Sequence, residues 1–174
     1  MKTNFIKISL ISLVSFIILV FFLALNDDKK YNTEKLIGKK IANFEIKHFF
    51  KDETYNQNNL INEGYHLINI WASWCLPCKQ EHPALMKLKS EKKLKLVGIN
   101  FKDKKGNAAK FLKEMGNPYD ILLIDPDGTK SVIFGVFGVP ESILINNEKI
   151  VIKKFIGPLS KKDYTDIIKL INAK

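Results

Sequence analysis

A largely apolar, β-prone stretch at residues 66–71 leads into two cysteines, Cys75 and Cys78, at the start of a predicted helix. Such a short run is typical of a strand buried on both faces of a sheet, so other elements must cover both faces. Strands and helices alternate after it, and the chain ends in a hairpin and a helix that Ser160 caps. This order predicts an α/β sandwich with a mixed sheet.

Apolar periodicity and turn residues place the individual elements. We expect strands at 41–50, 66–71, 95–101, 119–124, 142–145 and 150–156, and helices at 76–90, 108–115, 129–134 and from 161 onward. Residues 27–40 are polar and charged and are expected to form a tether, and residues 52–63 are expected to form turns and loops.

The N-terminus carries 18 uncharged residues, 8–25, preceded by Lys2 and Lys7. As a helix this stretch is about 27 Å long, close to the hydrocarbon thickness of a bilayer. Residues 24–26 offer no small-x-small cleavage site, so we interpret the segment as an uncleaved signal anchor. The expected domains are therefore an anchor with the start of the tether, 1–29, and a globular domain that contains both cysteines, 30–174.

The positive-inside rule alone predicts that the C-terminal domain stays in the cytoplasm, because five lysines lie in residues 26–40 and only two precede the span. The short leader resembles a secretory signal, two acids follow the span directly, and disulfides between paired cysteines form and persist in oxidising compartments. We therefore expect a cytoplasmic N-terminus and a globular domain outside the cytoplasm.

The formal charge of +10 comes from 28 basic residues, all of them lysine. Specific phosphate and base recognition favours the bidentate guanidinium of arginine, and these lysines are scattered along the chain. The composition therefore argues against a nucleic-acid partner and for a solvated basic surface.

The two cysteines predict redox chemistry. A disulfide between Cys75 and Cys78 closes a ring of only four residues, which stabilises a fold by about 2 kcal/mol and makes a poor structural staple. At a helix N-terminus, the backbone N–H groups and the helix dipole favour the thiolate. We expect Cys75 to be the exposed attacking sulfur, and Cys78, on the inner face, to resolve the mixed disulfide.

Metal and haem fit this motif poorly. A zinc site would need His82 and a distant histidine, either His48 or His66, as well as both cysteines. Covalent haem attachment requires a histidine directly after the second cysteine, where this chain has Lys79. We therefore expect neither a metal nor a cofactor.

Glu81 follows Cys78 by three residues and falls on the apolar arc of the helix. It is either an ordinary solvated helix glutamate or a half-buried carboxylate that takes the proton of the inner thiol. Both interpretations remain open at this level.

Several motifs together resemble the CcmG/DsbE family, membrane-anchored thioredoxin-like proteins of cytochrome c maturation, over residues 41–170. They are the segments 72–75 (Ala-Ser-Trp-Cys), 81–82 (Glu-His), 98–103 (Gly-Ile-Asn-Phe-Lys-Asp), 116–119 (Gly-Asn-Pro-Tyr), 125–128 (Asp-Pro-Asp-Gly) and 135–141 (Gly-Val-Phe-Gly-Val-Pro-Glu). The resemblance implies a thioredoxin-like three-layer sandwich with a mixed central sheet, preceded by one transmembrane helix.

The resemblance also implies roles for residues around the cysteines. It implies that Pro140 is cis and faces Cys75, and that Glu81 and Glu141 are two acids near the thiols. Substrate contacts would come from Trp74, Val139, Pro140 and Glu141. The chain departs from the family pattern at Phe137, which replaces a usual tyrosine, and at Val139, which replaces a usual alanine.

The implied function is reduction of the C-x-x-C-H cysteines of apocytochrome c before haem attachment. The implied protein is anchored once in the cytoplasmic membrane with its redox domain on the periplasmic side, and a DsbD/CcdA-type transporter supplies it with electrons. We expect it to be a monomer. Three alternatives are a general extracytoplasmic reductase of the TlpA/ResA kind, a disulfide-forming oxidase and a non-catalytic apocytochrome-binding module.

Overall fold

The computed structural model describes residues 2–25 and 36–173. The chain divides into two units, 1–32 and 33–174, which we describe separately. The predicted domain boundary at residues 29 and 30 lies outside the described residues, as does most of the predicted tether.

The described part of the first unit, residues 2–25, is the helix α1 (Lys2–Leu25). Its segment Ile6–Leu23 has a mean hydropathy of 2.7 and none of it is buried, so α1 is long and apolar enough to cross a membrane. This confirms the predicted N-terminal apolar helix as a candidate membrane span.

The second unit is built on a seven-stranded mixed sheet in the order β2-β1-β5-β4-β3-β6-β7. β3 is parallel to β4, β4 is parallel to β5, and the remaining neighbours are antiparallel. The strands are β1 (Glu45–His48), β2 (Thr54–Asn56), β3 (Tyr65–Trp71), β4 (Leu94–Phe101), β5 (Ile121–Asp125), β6 (Glu141–Ile145) and β7 (Val151–Ile156).

The described part of this unit also contains the helices α2 (Gln57–Leu60), α3 (Leu76–Leu88), α4 (Lys105–Met115) and α5 (Lys161–Asn172) and the 3-10 helix Ser131–Phe134. α3 continues through Pro83, which lies inside it. The predicted cap of α5 is confirmed, because the Ser160 side chain accepts a hydrogen bond from the Asp163 amide.

The central strand β3 is buried on both faces, as its composition predicts. Leu67 and Trp71 belong to one hydrophobic cluster, which we call the helix-side core because α3, α4 and α5 all contribute to it. Ile68 and Ile70 belong to a second cluster with the 3-10 helix, which we call the opposite core. Helices, sheet and opposite-side segments thus form the three layers of the predicted sandwich.

Two segments depart from the sequence prediction. The sequence predicts turns and loops at residues 52–63, but this segment contains β2 and α2. Asn56 and Asn59 form a reciprocal capping box that starts α2. The end of the predicted tether is docked on β7, where the Gly38 amide donates to Val151 O at 2.9 Å. Backbone pairing with a strand edge therefore attaches the last residues of the predicted tether to this unit.

Candidate active site

The end of β3 and the start of α3 hold the two cysteines, which form a disulfide with a Cα–Cα distance of 5.3 Å. Cys75 is the N-cap of α3, and its Sγ accepts a hydrogen bond from the Cys78 amide at 3.1 Å. The first sulfur therefore lies at the positive end of the helix, where a thiolate is stabilised.

The expected exposure of Cys75 is wrong for this oxidised state. Cys75 is 4% exposed and Cys78 is 2% exposed, so the two residues are almost equally buried. The reason is packing, because both belong to the helix-side core and Val139 lies against that core. The neighbours of Cys75 are the exposed groups: Trp74 is 58% exposed and Leu76 is 65% exposed.

The loop before the cysteines is fastened by Asp103, a residue whose role the sequence analysis missed. Its carboxylate accepts hydrogen bonds from the Ser73 amide at 2.6 Å and from the Ser73 hydroxyl at 2.9 Å. The Trp74 indole N–H donates to the Lys102 carbonyl at 3.0 Å, so the β4–α4 connection braces the active-site loop twice. The motif at residues 98–103 contained this signal without indicating its use.

Glu81 is 1% exposed, which excludes the ordinary solvated helix glutamate. Its Oε1 accepts a hydrogen bond from the Asn69 side-chain amide at 2.8 Å, and its Oε2 accepts one from the Leu159 backbone amide at 2.8 Å. Burial raises the pKa of Glu81 from 4.5 to about 7, and these two hydrogen bonds oppose the rise only in part. Glu81 can therefore exchange a proton near neutral pH.

Asn69 connects Glu81 to two further buried groups that the sequence analysis missed. Its amide also donates to the Ser142 hydroxyl at 2.9 Å, and its carbonyl accepts a hydrogen bond from the Tyr119 hydroxyl at 2.7 Å. Burial, together with the nearby Glu81 charge, raises the pKa of Tyr119. The hydroxyl therefore stays protonated and acts as a donor.

The loop before β6, together with the first residue of that strand, carries the remaining predicted site residues. The Val139–Pro140 peptide bond is cis, as the resemblance implies. Glu141 Oε1 accepts hydrogen bonds from the Phe137 and Gly138 amides, both at 3.2 Å. Its Oε2 lies 2.7 Å from the Lys154 ammonium, and this ion pair is almost fully buried.

The sheet register separates Glu141 from Glu81. Glu141 pairs with Ile70, and side chains directly opposed in an antiparallel pair share one face of the sheet. Ile70 lies in the opposite core, whereas α3 and the cysteines lie on the helix side. The structure therefore brings Glu81 and the dithiol together on one face, and it gives Glu141 partners in its own loop and on β7.

His82, the histidine closest to the cysteines in sequence, is a packing residue. Its Nε2 lies 3.2 Å from the Met115 carbonyl and 3.1 Å from the Gly116 carbonyl, so it donates to the end of α4. Its ring meets Phe111 edge-on, with the centroids 5.3 Å apart. His82 therefore packs α3 against the end of α4.

Comparison with known proteins agrees with this geometry. The Redoxin family profile matches residues 36–168. The chain is 34% identical over 169 residues to the thiol:disulfide interchange protein DsbE of Pasteurella multocida, with 93% of each chain covered. It is 47% identical over 92 residues to the thiol:disulfide interchange protein CycY of Rhizobium leguminosarum, a match that covers 53% of this chain and 50% of that protein.

A solved structure shows the same fold. The crystal structure of the thioredoxin domain of a thiol-disulfide oxidoreductase from Bacteroides vulgatus matches with a TM-score of 0.66 and 20% identity, covering 78% of this chain and 98% of that one. The likeness identifies the fold as thioredoxin-like. Within this fold, the Cys75–Cys78 disulfide lies at the start of α3. The chain therefore belongs to the DsbE family of thiol:disulfide interchange proteins and is a thiol-disulfide oxidoreductase.

Proposed function

We propose that this oxidoreductase reduces the C-x-x-C-H disulfide of apocytochrome c before haem attachment, on the outer side of the cytoplasmic membrane. The observation that carries the proposal is Glu81, a buried carboxylate one helical turn after Cys78 whose pKa is raised to about 7. Such a group suits a reductant, because the second half of the reaction must remove the proton of the inner thiol.

The first step uses Cys75. Its thiolate attacks one sulfur of the substrate disulfide, a mixed disulfide forms, and the other substrate sulfur leaves as a thiolate that takes a proton from solvent. The Cys78 amide already points at this sulfur at 3.1 Å, and it supports the charge on the attacking atom.

The second step uses Cys78 and Glu81. Glu81 takes the Cys78 proton, and Cys78 then attacks the Cys75 sulfur, which breaks the mixed disulfide and frees the second substrate thiolate. Two electrons have passed to the substrate, and the protein is left with the Cys75–Cys78 disulfide seen here. A membrane electron carrier of the DsbD/CcdA type would restore the dithiol, and α1 would keep the domain at the membrane where that carrier lies.

The surface around the cysteines supports a docked, extended substrate. Trp74, Leu76 and Phe137 are each more than half exposed, at 58%, 65% and 62%. Large exposed apolar side chains beside a reactive group are typical of a binding surface for an unfolded chain. The residues proposed to contact or align that substrate remain Trp74, Val139, Pro140 and Glu141.

A trapping experiment tests the assignment of the two sulfurs. The full-length Cys78→Ser chain in detergent is mixed with a disulfide-closed C-x-x-C-H peptide, and the covalent adduct is followed by mass spectrometry. We expect the adduct to accumulate with Cys78→Ser and to be absent with Cys75→Ser. An adduct formed by Cys75→Ser alone would reverse the roles.

A cellular experiment tests the substrate. Deletion of the gene should abolish covalent haem attachment to c-type cytochromes, and an added dithiol reductant should restore it. Normal haem attachment in the deletion strain would favour the general reductase. Complementation by the Cys75→Ser/Cys78→Ser chain would favour the non-catalytic binding module.

A further inference from the structure

Both described hydrogen-bond partners of Glu81 are donors, although a protonated carboxyl group needs an acceptor for its own O–H. Asn69 Nδ2 faces Oε1, and the Leu159 amide faces Oε2. The Leu159 amide cannot change its role, since a backbone N–H only donates. The Asn69 amide can change its role, because a half-turn would exchange its NH₂ for its carbonyl oxygen.

The group that decides which side of the Asn69 amide faces Glu81 is the Tyr119 hydroxyl. It donates to Asn69 Oδ1 at 2.7 Å, and in a fully buried position a hydroxyl proton that loses its acceptor is costly. A turned Asn69 amide would present NH₂ to this donor. The third partner of Asn69, Ser142, can hydrogen-bond to the amide in either orientation, because its hydroxyl can donate or accept.

The Tyr119 ring is itself held in place by two contacts. It stacks on Trp71 with a centroid distance of 5.7 Å and an interplanar angle of 23°. It also lies directly on the backbone of Gly98, where an added Cβ would come within 2.7 Å of the ring. The hydroxyl therefore has little freedom to follow a turned amide.

We propose that Tyr119 and Asn69 are positioning residues for the release step: the Tyr119 hydroxyl holds the Asn69 amide so that its N–H groups, and not its carbonyl, face Glu81. This inference rests on the proposed function of Glu81 as the proton acceptor. Held in this way, the amide favours the ionised carboxylate and opposes the effect of burial.

The other groups around Glu81 do not supply this control. Among the described residues, Tyr119, which precedes β5, is a titratable group on which the Glu81 charge acts, and Cys78, one turn earlier on α3, is held in the disulfide and does not titrate in this oxidised state. β3 contributes Asn69, β6 contributes Ser142, and the segment before α5 contributes the Leu159 amide, none of which titrates. Removal of the Tyr119 hydroxyl therefore affects the ionisation of Glu81 through the Asn69 amide.

The direct test is the titration of Glu81 in the oxidised full-length chain, followed by carboxyl-carbon NMR with glutamate labelling. Glu81→Gln identifies the signal by its loss. Tyr119→Phe removes only the hydroxyl, frees the Asn69 amide to present its carbonyl to the neutral acid, and should raise the Glu81 midpoint. The expected change is about threefold to tenfold in the ionisation equilibrium, the range for one hydrogen bond.

The matched control is Tyr164→Phe, which removes a half-buried hydroxyl whose partner is Glu91 at 3.5 Å. It should leave the Glu81 titration unchanged. A Glu81 midpoint that is the same in Tyr119→Phe and in the parent would overturn the positioning role, and Glu81 could still be the proton acceptor.

The kinetic test follows release of a reduced C-x-x-C-H peptide from the mixed disulfide across pH. The pH midpoint of release in Tyr119→Phe should move in the same direction as the NMR midpoint, while formation of the mixed disulfide stays at the parental rate. Parental release in Glu81→Gln, together with a shifted NMR midpoint in Tyr119→Phe, would overturn the proposed function of Glu81 and leave the amide control intact.

Discussion

Two buried carboxylates lie on opposite faces of the same sheet, and they are stabilised in opposite ways. Glu81, on the helix side, has neutral hydrogen-bond donors as its described partners, and burial raises its pKa to about 7. Glu141, on the opposite side, pairs at 2.7 Å with Lys154, whose side chain is 1% exposed. The first arrangement suits a group that must change its protonation, and the second suits one that must hold a loop.

The difference follows from what each neighbouring element contributes. Asn69 on β3 and the Leu159 amide satisfy Glu81 without neutralising its charge. β7 places Lys154 across from the loop that contains the cis Val139–Pro140 bond, and the Glu141 carboxylate also accepts two amides of that loop. The ion pair with Lys154 therefore fixes Glu141 in place, whereas the buried Glu81, whose described partners are neutral donors, has its pKa raised.

The largest expected effect comes from breaking the ion pair. Lys154→Met leaves Glu141 as a buried, uncompensated charge and should lower the free energy of unfolding by about 3–5 kcal/mol. Urea unfolding of the full-length chain in detergent measures the change. Lys154→Met/Glu141→Gln should recover part of the loss, and a double variant no more stable than Lys154→Met would contradict the pairing.

Removing the ionisable group at Glu81 should change how stability depends on pH. Its pKa is raised in the folded chain from 4.5 to about 7, so the folded state binds this proton more tightly than the unfolded state. The contribution of Glu81 to the free energy of unfolding is fully present below its unfolded-state pKa of 4.5. It is lost as pH rises through the folded-state pKa of about 7, and the total loss is about 3 kcal/mol.

Glu81→Gln cannot ionise at this position and should lack that decline. The measurement is the urea unfolding free energy of the oxidised parent and of Glu81→Gln at a series of pH values. The comparison uses the slope, because the glutamine also places an NH₂ group against a donor and lowers stability at every pH. Parallel curves for the two proteins would show that Glu81 titrates normally.

A smaller effect is expected from Gly98→Ala, which pushes the Tyr119 ring away from the network that holds Glu81. The added Cβ would come within 2.7 Å of the ring, and overpacking of this kind costs about 1–3 kcal/mol. Gly106→Ala is the matched control, since no atom lies within 4 Å of its Cβ position in α4. Thermal unfolding should separate the two variants; equal melting temperatures would contradict the close approach.

The smallest effect is expected from Lys153→Met, the neighbour of Lys154 on β7. Lys153 pairs with Asp166 at 2.6 Å, but about a third of each side chain is exposed. Solvent and salt screen such a pair, so Lys153→Met should unfold close to the parent and any difference should vanish at high ionic strength. A loss as large as that of Lys154→Met would remove the distinction between the two lysines.

Local sequence predicts much of this protein because the relevant signals lie within a few residues. The apolar N-terminal stretch, the buried strand and the Cys75-x-x-Cys78 pair at a helix start are each recognisable alone. The arc position of Glu81 also follows from helical geometry, so its burial could be suspected. The exposure of Cys75 could not be predicted, because it depends on packing against the helix-side core.

By itself the sequence determined the membrane-span candidate, the α/β order of elements, the redox-active pair and, by resemblance, the cis proline. Only the tertiary structure decided what surrounds the two acids. Glu81 meets Asn69 and Leu159 from 12 and 78 residues away, and Glu141 meets Lys154 from a neighbouring strand. Periodicity shows which face of an element is buried, but the donor or charge opposite that face comes from another part of the chain, and that partner sets whether a buried carboxylate moves a proton or holds a loop.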